Sequence, residues 1–593
     1  MFFFCIICYM RALFQNFKNH FSFSLLSFVF LFGLFNPVFK KFDYGAGWPV
    51  VMLLAVALMF ASFYDFKKKR EFHLHETIFL GVYLVFVGLS FVFSSAKNVG
   101  LSEVVATFSV IGLYQLYAYS KIDWMEKFLK VVVSAAVLSV VIGYFMYFFE
   151  VEDRMYGPFF NILYHANEWP NAFALFLLMA WPLVLFFVEK KKEMVSALLV
   201  GVLLSGILLT FSRGAFIALI GQTVLILIFF LKNIKFKQFL MGILAALFAV
   251  VLFFGANFVR SFGHEVLDVG KRAAFEGTAI TSGQERVDFW LGAIKLASEK
   301  PALGWGPFSF RQAYAPIQKH FLATSDHPHN FFLKIAAENG VIALLTFLAF
   351  LATFVIDVES RWKELTAIKR KQIIILGISI LGGLAHSFID YNFNFVANLM
   401  LWFLLLAFIK SLSMPRMYKE KKALFSIFIA VFVGLLAIYE GGLLFASTAL
   451  KNDEALSFSF YPRDYYLTHD LEKHLSMNPL DARAHILNGE YEKALEIDPM
   501  NQFLYYREYL WRMDKSNLSK EDWAIINKTK LLILDYYKMV DQNVHYTAYT
   551  KNVEYAAEVA DELVSYLPQE EVYDLIEGKR LMLEKASKLR AEK

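Results

Sequence analysis

Long apolar blocks recur along the first 447 residues of this 593-residue chain, and they limit its fold more than any other feature. Hydrophobic residues make up 58% of the chain and aromatic residues 18%, which is more apolar surface than a soluble domain can bury. Most blocks hold close to the ~20 residues that a helix needs to cross about 30 Å of hydrocarbon. The sequence therefore predicts an all-α, polytopic membrane helix bundle.

A scan with a window of about 19 residues predicts about thirteen membrane-spanning helices. The Ser-Arg-Gly sequence at 212–214 separates two of them, either as a turn or as a break inside the bilayer. The predicted spans are 21–38, 48–64, 76–94, 101–119, 128–149, 169–188, 194–211, 213–231, 238–258, 329–356, 371–391, 394–411 and 422–447.

Basic residues between the spans predict how the bundle is oriented. Six clusters follow even-numbered spans, and one short pair, Lys40 and Lys41, follows an odd-numbered span. Because cytoplasmic loops are enriched in Lys and Arg, the pattern predicts a cytoplasmic N-terminus. The loops at 150–168 and 259–328, and everything after about residue 447, then lie on the extracytoplasmic side. The clusters fall at 67–70, 121–127, 190–192, 232–237, 369–371 and 416–422.

The segment from 448 to 593 has a different composition, because it is charged, Tyr-rich and helical in its periodicity. Residues 489–499, GEYEKALEIDP, are similar to the second helix of a tetratricopeptide repeat. We predict a transmembrane bundle over 1–447, which includes the loop at 259–328, and an extracytoplasmic tetratricopeptide-like helical domain over 448–593. An exposed helical-repeat surface would suit a protein partner.

Three arginines stand out on or near the predicted outward side. Arg213 lies between two apolar runs, Arg286 lies in the long loop, and Arg154 lies in the shorter one. A guanidinium is always charged and forks onto phosphate oxygens, so these residues suit a pyrophosphate or another polyanionic ligand. The alternatives are that Arg213 snorkels to lipid headgroups and that the other two pair with acidic neighbours.

A polar segment leads into the predicted span at 329–356. His329 at its head is a candidate base for a hydroxyl, because imidazole titrates near neutrality; the alternative is a helix cap. His327 is a candidate partner. Glu338 lies nine residues beyond His329 and roughly on the opposite helix face, so the two side chains are not expected to touch. An acidic group there should meet a cation or a hydrogen-bond donor, and an arginine is the natural candidate.

His386 and Asp390 lie four residues apart in the predicted span 371–391. This spacing puts both side chains on one helix face, where they could form a hydrogen bond within the helix. Such a pair in an apolar helix serves either structural support or direct chemistry, and the sequence leaves both readings open.

Several other chemistries find no support in the sequence. It contains neither a P-loop motif nor a dinucleotide fingerprint, and a net charge of +5 without a basic stripe does not suit nucleic acid. Cys5 and Cys8 alone make a poor zinc site. Carboxylates and His165 in the 150–168 loop are candidates for a divalent ion, although solvated loop charges are the favoured explanation for most of them. We therefore expect no metal and no cofactor.

An ordered set of motifs between about 150 and 395 resembles the O-antigen ligase/polymerase superfamily. The resemblance implies an integral-membrane glycosyltransferase of the bacterial inner membrane. Such an enzyme moves a glycan from undecaprenyl pyrophosphate to an acceptor hydroxyl, without nucleotide or metal. The resembling segments are 154–171, 212–215, 285–290, 301–306, 329–333, 338–340 and 386–390.

The same resemblance implies roles for individual residues. Arg213 and Arg286 would bind the donor pyrophosphate and stabilise it as it leaves, and His329 would orient or deprotonate the acceptor hydroxyl. Substrate-binding or supporting roles fall to Arg154, Asn330, Glu338, His327 and Asp390.

Several alternatives stay open at this point. A ligase and a polymerase are equally compatible with the motifs, and the acceptor is open between lipid A core, polysaccharide, protein and cell-wall polymer. Outside enzymes, the alternative is a polysaccharide transporter or flippase, for which an internal repeat with broken helices is the expected sign.

Overall fold

The computed structural model describes thirteen stretches of the chain, and every regular element in them is a helix apart from one isolated β-bridge between Phe160 and Glu168. Cys5, Cys8, His165 and Asn167 lie outside the described residues, as do the basic clusters at 67–70, 190–192 and 416–422. The described stretches are 21–37, 48–65, 74–150, 152–162, 168–187, 193–230, 236–267, 278–319, 325–414, 424–449, 470–499, 502–542 and 551–591.

Helices α1 to α16 cover the described part of the predicted bundle and its long loop. They are α1 Phe21–Phe35, α2 Trp48–Tyr64, α3 Leu74–Val92, α4 Lys97–Tyr117, α5 Met125–Phe149, α6 Pro170–Ala180, α7 Glu193–Leu209, α8 Arg213–Phe230, α9 Phe236–Arg260, α10 Thr278–Glu299, α11 Phe310–Tyr314, α12 Phe331–Asn339, α13 Val341–Ser360, α14 Ala367–His386, α15 Val396–Ser413 and α16 Leu424–Ala449.

The tail contributes seven more helices to the described residues, and its helical character is confirmed. The short helix α19 lies inside the sequence 489–499 that suggested a tetratricopeptide repeat, and α18 precedes it, but that assignment stays a prediction. The helices are α17 Leu471–Met477, α18 Ala482–Leu487, α19 Tyr491–Ile497, α20 Gln502–Arg512, α21 Lys520–Gln542, α22 Lys551–Val564 and α23 Gln569–Ala591.

Within the described residues, helix covers most of each of the thirteen predicted spans. In the described part of the chain, seven helices are both long and apolar enough to cross a membrane, and four shorter helices are also apolar. A membrane protein is therefore confirmed, whereas the number of crossings, the orientation and the boundary between the two domains stay predictions.

Two predicted spans are interrupted in ways that matter for the site. The span at 329–356 is two helices, α12 and α13, which are separated by Gly340 at φ 90°. A Cβ at Gly340 would lie 2.3 Å from the carbonyl oxygen of Ala302, so only glycine fits there. The span at 371–391 ends early, at His386, and the residues from 387 to 395 are not helical. Apolar composition alone does not reveal such breaks.

A proline and a glutamine explain how α6 joins α8. Pro182 has no N–H to donate to the carbonyl of Leu178, and α6 continues from Trp181 as a 3₁₀ helix. Gln222 of α8 donates to that carbonyl at 2.9 Å and accepts from the Trp181 indole at 2.8 Å. A polar side chain inside the bundle thus satisfies the backbone group that the proline frees.

The bundle is built around α15, in which nearly every residue is buried. It packs against α4 and α14, whereas α8 and α9 keep large apolar side chains on the outside. The long loop has its own apolar cluster, which we call the loop core: Phe289, Ala293, Leu296, Phe310, Ala313, Tyr314 and Ala337. Leu480 of the tail packs against this cluster and also against the core of α18 and α19.

Candidate active site

His329 stands immediately before α12, at the end of the long loop. Asn330 caps the helix, because its Oδ1 accepts from the backbone N–H groups of Phe332 and Leu333 at 3.0 Å each. Its Nδ2 donates to the carbonyl of Phe388 at 2.9 Å. Asn330 therefore ties the start of α12 to the non-helical segment that follows α14, and this is the segment that carries Asp390.

The Asp390 carboxylate is the centre of the site and is almost fully buried. Its Oδ1 accepts from His329 Nδ1 at 2.6 Å and from the Tyr391 backbone N–H at 2.8 Å, while its Oδ2 accepts from Asn171 Nδ2 at 2.6 Å. A carboxylate can only accept, so His329 carries its proton on Nδ1. Within the described residues no hydrogen bond engages His329 Nε2, which is therefore able to take a proton.

Arginines approach this carboxylate from two elements. Arg286 of α10 places Nη2 3.8 Å from Asp390 Oδ2. Arg154 reaches the same oxygen through Asn171, because its Nη2 donates to Asn171 Oδ1 at 2.7 Å. Its Nε donates to the carbonyl of Thr210 at 2.8 Å, which fixes the loop to the end of α7. Both guanidinium groups are partly buried beside the Asp390–His329 pair.

Arg213 enters from a third direction, as the first residue of α8. The turn before it packs against the end of α14, because Ser212 Oγ lies 3.4 Å from His386 Nε2. A Cβ at Gly214 would lie 3.6 Å from the side chains of His386 and Ile389. Arg213 is half-buried next to these contacts. The turn that carries it therefore adjoins the segment that carries Asp390.

The aromatic ring of Phe289 covers one face of His329. The two ring centroids are 5.4 Å apart at an interplanar angle of 24°. Phe289 belongs to the loop core, and three residues earlier in α10 comes Arg286. One turn of α10 thus supplies both a cation beside Asp390 and a stacking surface for the imidazole.

The structure separates other predicted residues from this centre. His327 is buried, with its ring 4.5 Å from that of Tyr391 and its Nε2 3.5 Å from Asn394. Glu338 is fully buried and is paired with Lys334, four residues before it, rather than with the arginine that the sequence suggested. The side chain of Asp390 bonds to His329 and not to His386, because α14 ends before Asp390.

Two residues of the site carried no role in the sequence argument. Asn171 and Phe289 lie inside recognisable motifs, and a polar side chain directly after Pro170 at the head of an apolar helix was the available signal for Asn171. Phe289 is one of 65 phenylalanines, so its position gave no comparable signal.

The acidic residues of the 150–168 loop do not assemble a metal site in the described residues, where no group of three His, Cys, Asp or Glu side chains converges. Burial, together with the neighbouring Asp153, raises the pKa of the Glu152 carboxyl above its ordinary value, and the nearby Arg154 partly opposes this. Among the described residues of this loop, Arg154 is thus the cation that acts on the Glu152 carboxyl.

Comparison with known proteins adds two findings. A protein of Acinetobacter baylyi named ComP-specific O-oligosaccharyltransferase is 24% identical over 382 residues, which cover 61% of this chain and 64% of the relative. The chain thus matches less than two thirds of that relative's length. Residues 197–348, which hold Arg213, Arg286 and His329, match the family described as O-antigen ligase.

Proposed function

We propose that the protein is an integral-membrane glycosyltransferase of the O-antigen ligase type. It moves a glycan from undecaprenyl pyrophosphate to an acceptor hydroxyl at the extracytoplasmic face of a bacterial inner membrane. The observation that carries this proposal is the convergence of His329 and two arginines on one buried carboxylate, Asp390. The family match over 197–348 supports it independently.

His329 is the proton acceptor in this proposal. The Asp390 carboxylate holds the ring through Nδ1 at 2.6 Å, which leaves Nε2 as the basic nitrogen and stabilises the imidazolium that forms. The acceptor oxygen bonds to the anomeric carbon of the donor sugar, and its proton passes to Nε2. The bond from that carbon to the pyrophosphate oxygen breaks, and the electron pair leaves with undecaprenyl pyrophosphate.

Arg286 and Arg213 bind the pyrophosphate that leaves. They are partly buried, so their charge acts on the leaving group with less screening by water than at an open surface. Arg154 already donates hydrogen bonds to Thr210 and Asn171, so we do not assign it as the main residue that binds the glycan donor. We assign it to holding Asn171 against Asp390.

Among the acceptors that the sequence left open, we propose a protein hydroxyl. The Acinetobacter relative is named as specific for ComP. In addition, the tail packs through Leu480 against the loop core that includes Phe289, which lies directly behind His329. A helical tail at this position is suited to hold a polypeptide near the reacting hydroxyl.

Purified protein in proteoliposomes, supplied with lipid-linked glycan and candidate acceptors, tests the proposal. We expect covalent transfer without an ion gradient, and glycan movement without a new covalent bond would support a transporter instead. A deletion strain separates the remaining activities: full-length glycan stranded on the carrier indicates a ligase, and loss of chain extension indicates a polymerase. Loss of glycan from a protein, with surface polysaccharide unchanged, identifies the protein acceptor.

A further inference from the structure

A lysine is buried between two carboxylates directly behind the proposed site. Lys334 of α12 places Nζ 2.6 and 2.7 Å from the two carboxylate oxygens of Glu103 in α4, and it also pairs with Glu338. The side chains of Lys334 and Glu338 are 2% and 0% exposed. We call these three residues the site triad. Lys334 and Glu103 have no role in the proposed chemistry, and neither belongs to a motif that the sequence singled out.

Glu338 also holds the backbone of the long loop. Its carboxylate oxygens accept from the backbone N–H groups of Phe308 at 3.0 Å and Phe310 at 3.2 Å. Its own carbonyl accepts from the N–H of Gly306 at 2.8 Å. Phe308 sits at φ 56°, a conformation that a non-glycine residue adopts only when its surroundings impose it. The charged side chain thus fixes a strained stretch of loop.

Two physical connections lead from the site triad to the imidazole. Along the chain, Lys334 and Glu338 lie in α12, and His329 stands two residues before the first residue of that helix. Through the loop, the ring of Phe310 stacks on Tyr314 at 5.0 Å, and Tyr314 contacts Phe289 at 5.9 Å. Phe289 in turn stacks on His329. The triad is therefore connected both to the helix that begins just after His329 and to the ring that covers its imidazole.

Stability alone is a weak reason to keep such a triad. Removing charges from water into an apolar interior has a desolvation penalty that often exceeds the attraction gained, and apolar replacements of a whole buried ion cluster are commonly tolerated. The backbone N–H groups of Phe308 and Phe310 donate hydrogen bonds to the Glu338 carboxylate, and an apolar side chain could not accept them. The geometry thus gives the Glu338 carboxylate a specific function, which is to bind the backbone of the loop from 306 to 310.

We propose that Lys334, together with Glu103 and Glu338, is a positioning residue for the glycosyl transfer. The triad sets the loop from 306 to 310 and the start of α12, so that His329 Nε2 meets the acceptor hydroxyl. This inference rests on the proposed function for its catalytic readout, but its structural readout is independent of any activity.

The chain supplies a matched control at the opposite end of α13. Lys410 of α15 is fully buried and pairs with Glu76 of α3 and with Asp357 of α13. We call these residues the distal triad. At about 1.5 Å per residue, Asp357 lies about 24 Å along α13 from its first residue. Like the site triad, the distal triad holds one lysine and two carboxylates, and Asp357 additionally pairs with Arg361 at 3.4 Å.

The experiment compares two neutral triple variants of the full-length protein in proteoliposomes. The first combines Glu103→Gln, Lys334→Met and Glu338→Gln, and the second combines Glu76→Gln, Lys410→Met and Asp357→Asn. Neutralising all three groups of a triad avoids stranding its buried lysine or carboxylates, as Lys334→Met alone would do. In the distal variant Arg361 loses its pairing with Asp357, and its side chain is partly exposed to solvent. Thermal unfolding of both variants establishes that each is folded.

For the site-triad variant we expect kcat to fall at least tenfold, with the KM for the lipid-linked donor changed by less than twofold. Amide hydrogen exchange over 306–310 should quicken at least tenfold, and the rate at which diethyl pyrocarbonate modifies His329 should change. The distal variant should match wild type in all four measurements. Glu338→Gln alone, which keeps the pair between Lys334 and Glu103, should retain more of kcat than the triple variant does.

Three outcomes would overturn the inference. One is unchanged exchange over 306–310 in a folded site-triad variant, whatever the activity. Another is unchanged kcat in the same variant while the exchange quickens. A third is an equal loss of kcat in both triple variants, which would indicate general loosening of the bundle. If wild-type protein transfers no glycan, the proposed function fails, and the exchange and modification rates still test the positioning.

Discussion

Two histidine–carboxylate pairs with the same 2.6 Å separation lie in different regions of this protein. In the site, His329 Nδ1 contacts Asp390, and in the tail, His485 Nδ1 contacts Glu490. The second nitrogen of His485 is also engaged, by the carbonyl of Pro479 at 2.8 Å. The side chain of His485 is 2% exposed and that of His329 is 33% exposed.

The difference shows what a functional pair requires beyond short distance. Both ring nitrogens of His485 are engaged, one with Glu490 in the turn between α18 and α19 and the other with Pro479 before α18, so this side chain supports structure. His329 has one nitrogen held by a buried carboxylate and the other uncommitted among the described residues, with Arg286 close to the same carboxylate. An accessible basic nitrogen next to cations is the feature that points to acid–base chemistry.

The largest expected effect distinguishes the two histidines directly. His329→Ala should lower the rate of glycan transfer by about 10⁴-fold, the upper range for a general base. His485→Ala should leave transfer near wild type and lower the unfolding temperature of the tail. Transfer assays in proteoliposomes and thermal unfolding measure both. Full activity of His329→Ala would remove the basis of the comparison.

Substitution of the two carboxylates should also affect kcat differently, with the larger loss at Asp390. Asp390→Asn should reduce kcat by about 10³-fold, because an amide can present the wrong partner to Nδ1 and no longer stabilises the imidazolium. Glu490→Gln, at the equivalent distance from its histidine, should leave kcat unchanged. Steady-state kinetics of the two variants provides the measurement. A loss of similar size in both would mean that the tail pair also serves the reaction.

The arginines make the third contrast. Arg286→Ala and Arg213→Ala should each lower transfer by about 10²- to 10³-fold, as removal of one group that stabilises developing charge does. Arg286→Lys should recover part of the activity, because it restores the charge without the forked geometry. Arg483→Ala, an exposed arginine near His485, is the matched control. Wild-type kinetics in both Arg213→Ala and Arg286→Ala would contradict the pyrophosphate role.

The smallest effect concerns the pH dependence of the tail. Hydrogen bonds from His485 and Asn488 lower the pKa of the Glu490 carboxyl below its ordinary value of 4.5. When the pKa of a carboxyl is lower in the folded state, its ionised form stabilises the fold at pH values above the unfolded-state pKa. This stabilisation is lost as the pH falls through the folded-state pKa. Amide exchange protection over 482–497 should therefore decrease below about pH 4.5.

Glu490→Gln provides the check on that expectation, because it cannot titrate. The variant should show weaker protection at neutral pH and a flatter dependence on pH than wild type. An unchanged dependence would assign the effect to another acidic group of the tail.

Much of the bundle could be predicted because its signal is local. Each span, such as 213–231, is a continuous apolar run whose length matches the hydrocarbon layer. The breaks were not predictable in the same way. Gly340 separates two helices because the carbonyl of Ala302 approaches it from 38 residues away. Such close approaches leave no periodic trace in composition.

The sequence was sufficient to predict several residues of the candidate site, but not which side chains they contact. Arg213, Arg286 and His329 stand out because charged or ionisable groups beside apolar runs are expensive to keep there. Their relation to Asp390 depends on Asn330 tying α12 to the segment after α14. A cation or a donor was expected beside Glu338, with arginine as the natural candidate. The structure supplies a different cation, Lys334, together with two backbone N–H groups.

The sequence by itself determined that this is an all-helical membrane protein with a charged helical tail, because hydrophobic length and charge distribution act through local physics. It also nominated the histidine and the arginines. Only the tertiary structure decided that the side chain of His329, and not that of His386, bonds to Asp390. It also decided that Glu338 of the site triad binds the backbone of the loop from 306 to 310. Those relations join residues that are tens to hundreds of positions apart, as Lys334 and Glu103 are, and only packing brings them within hydrogen-bond distance.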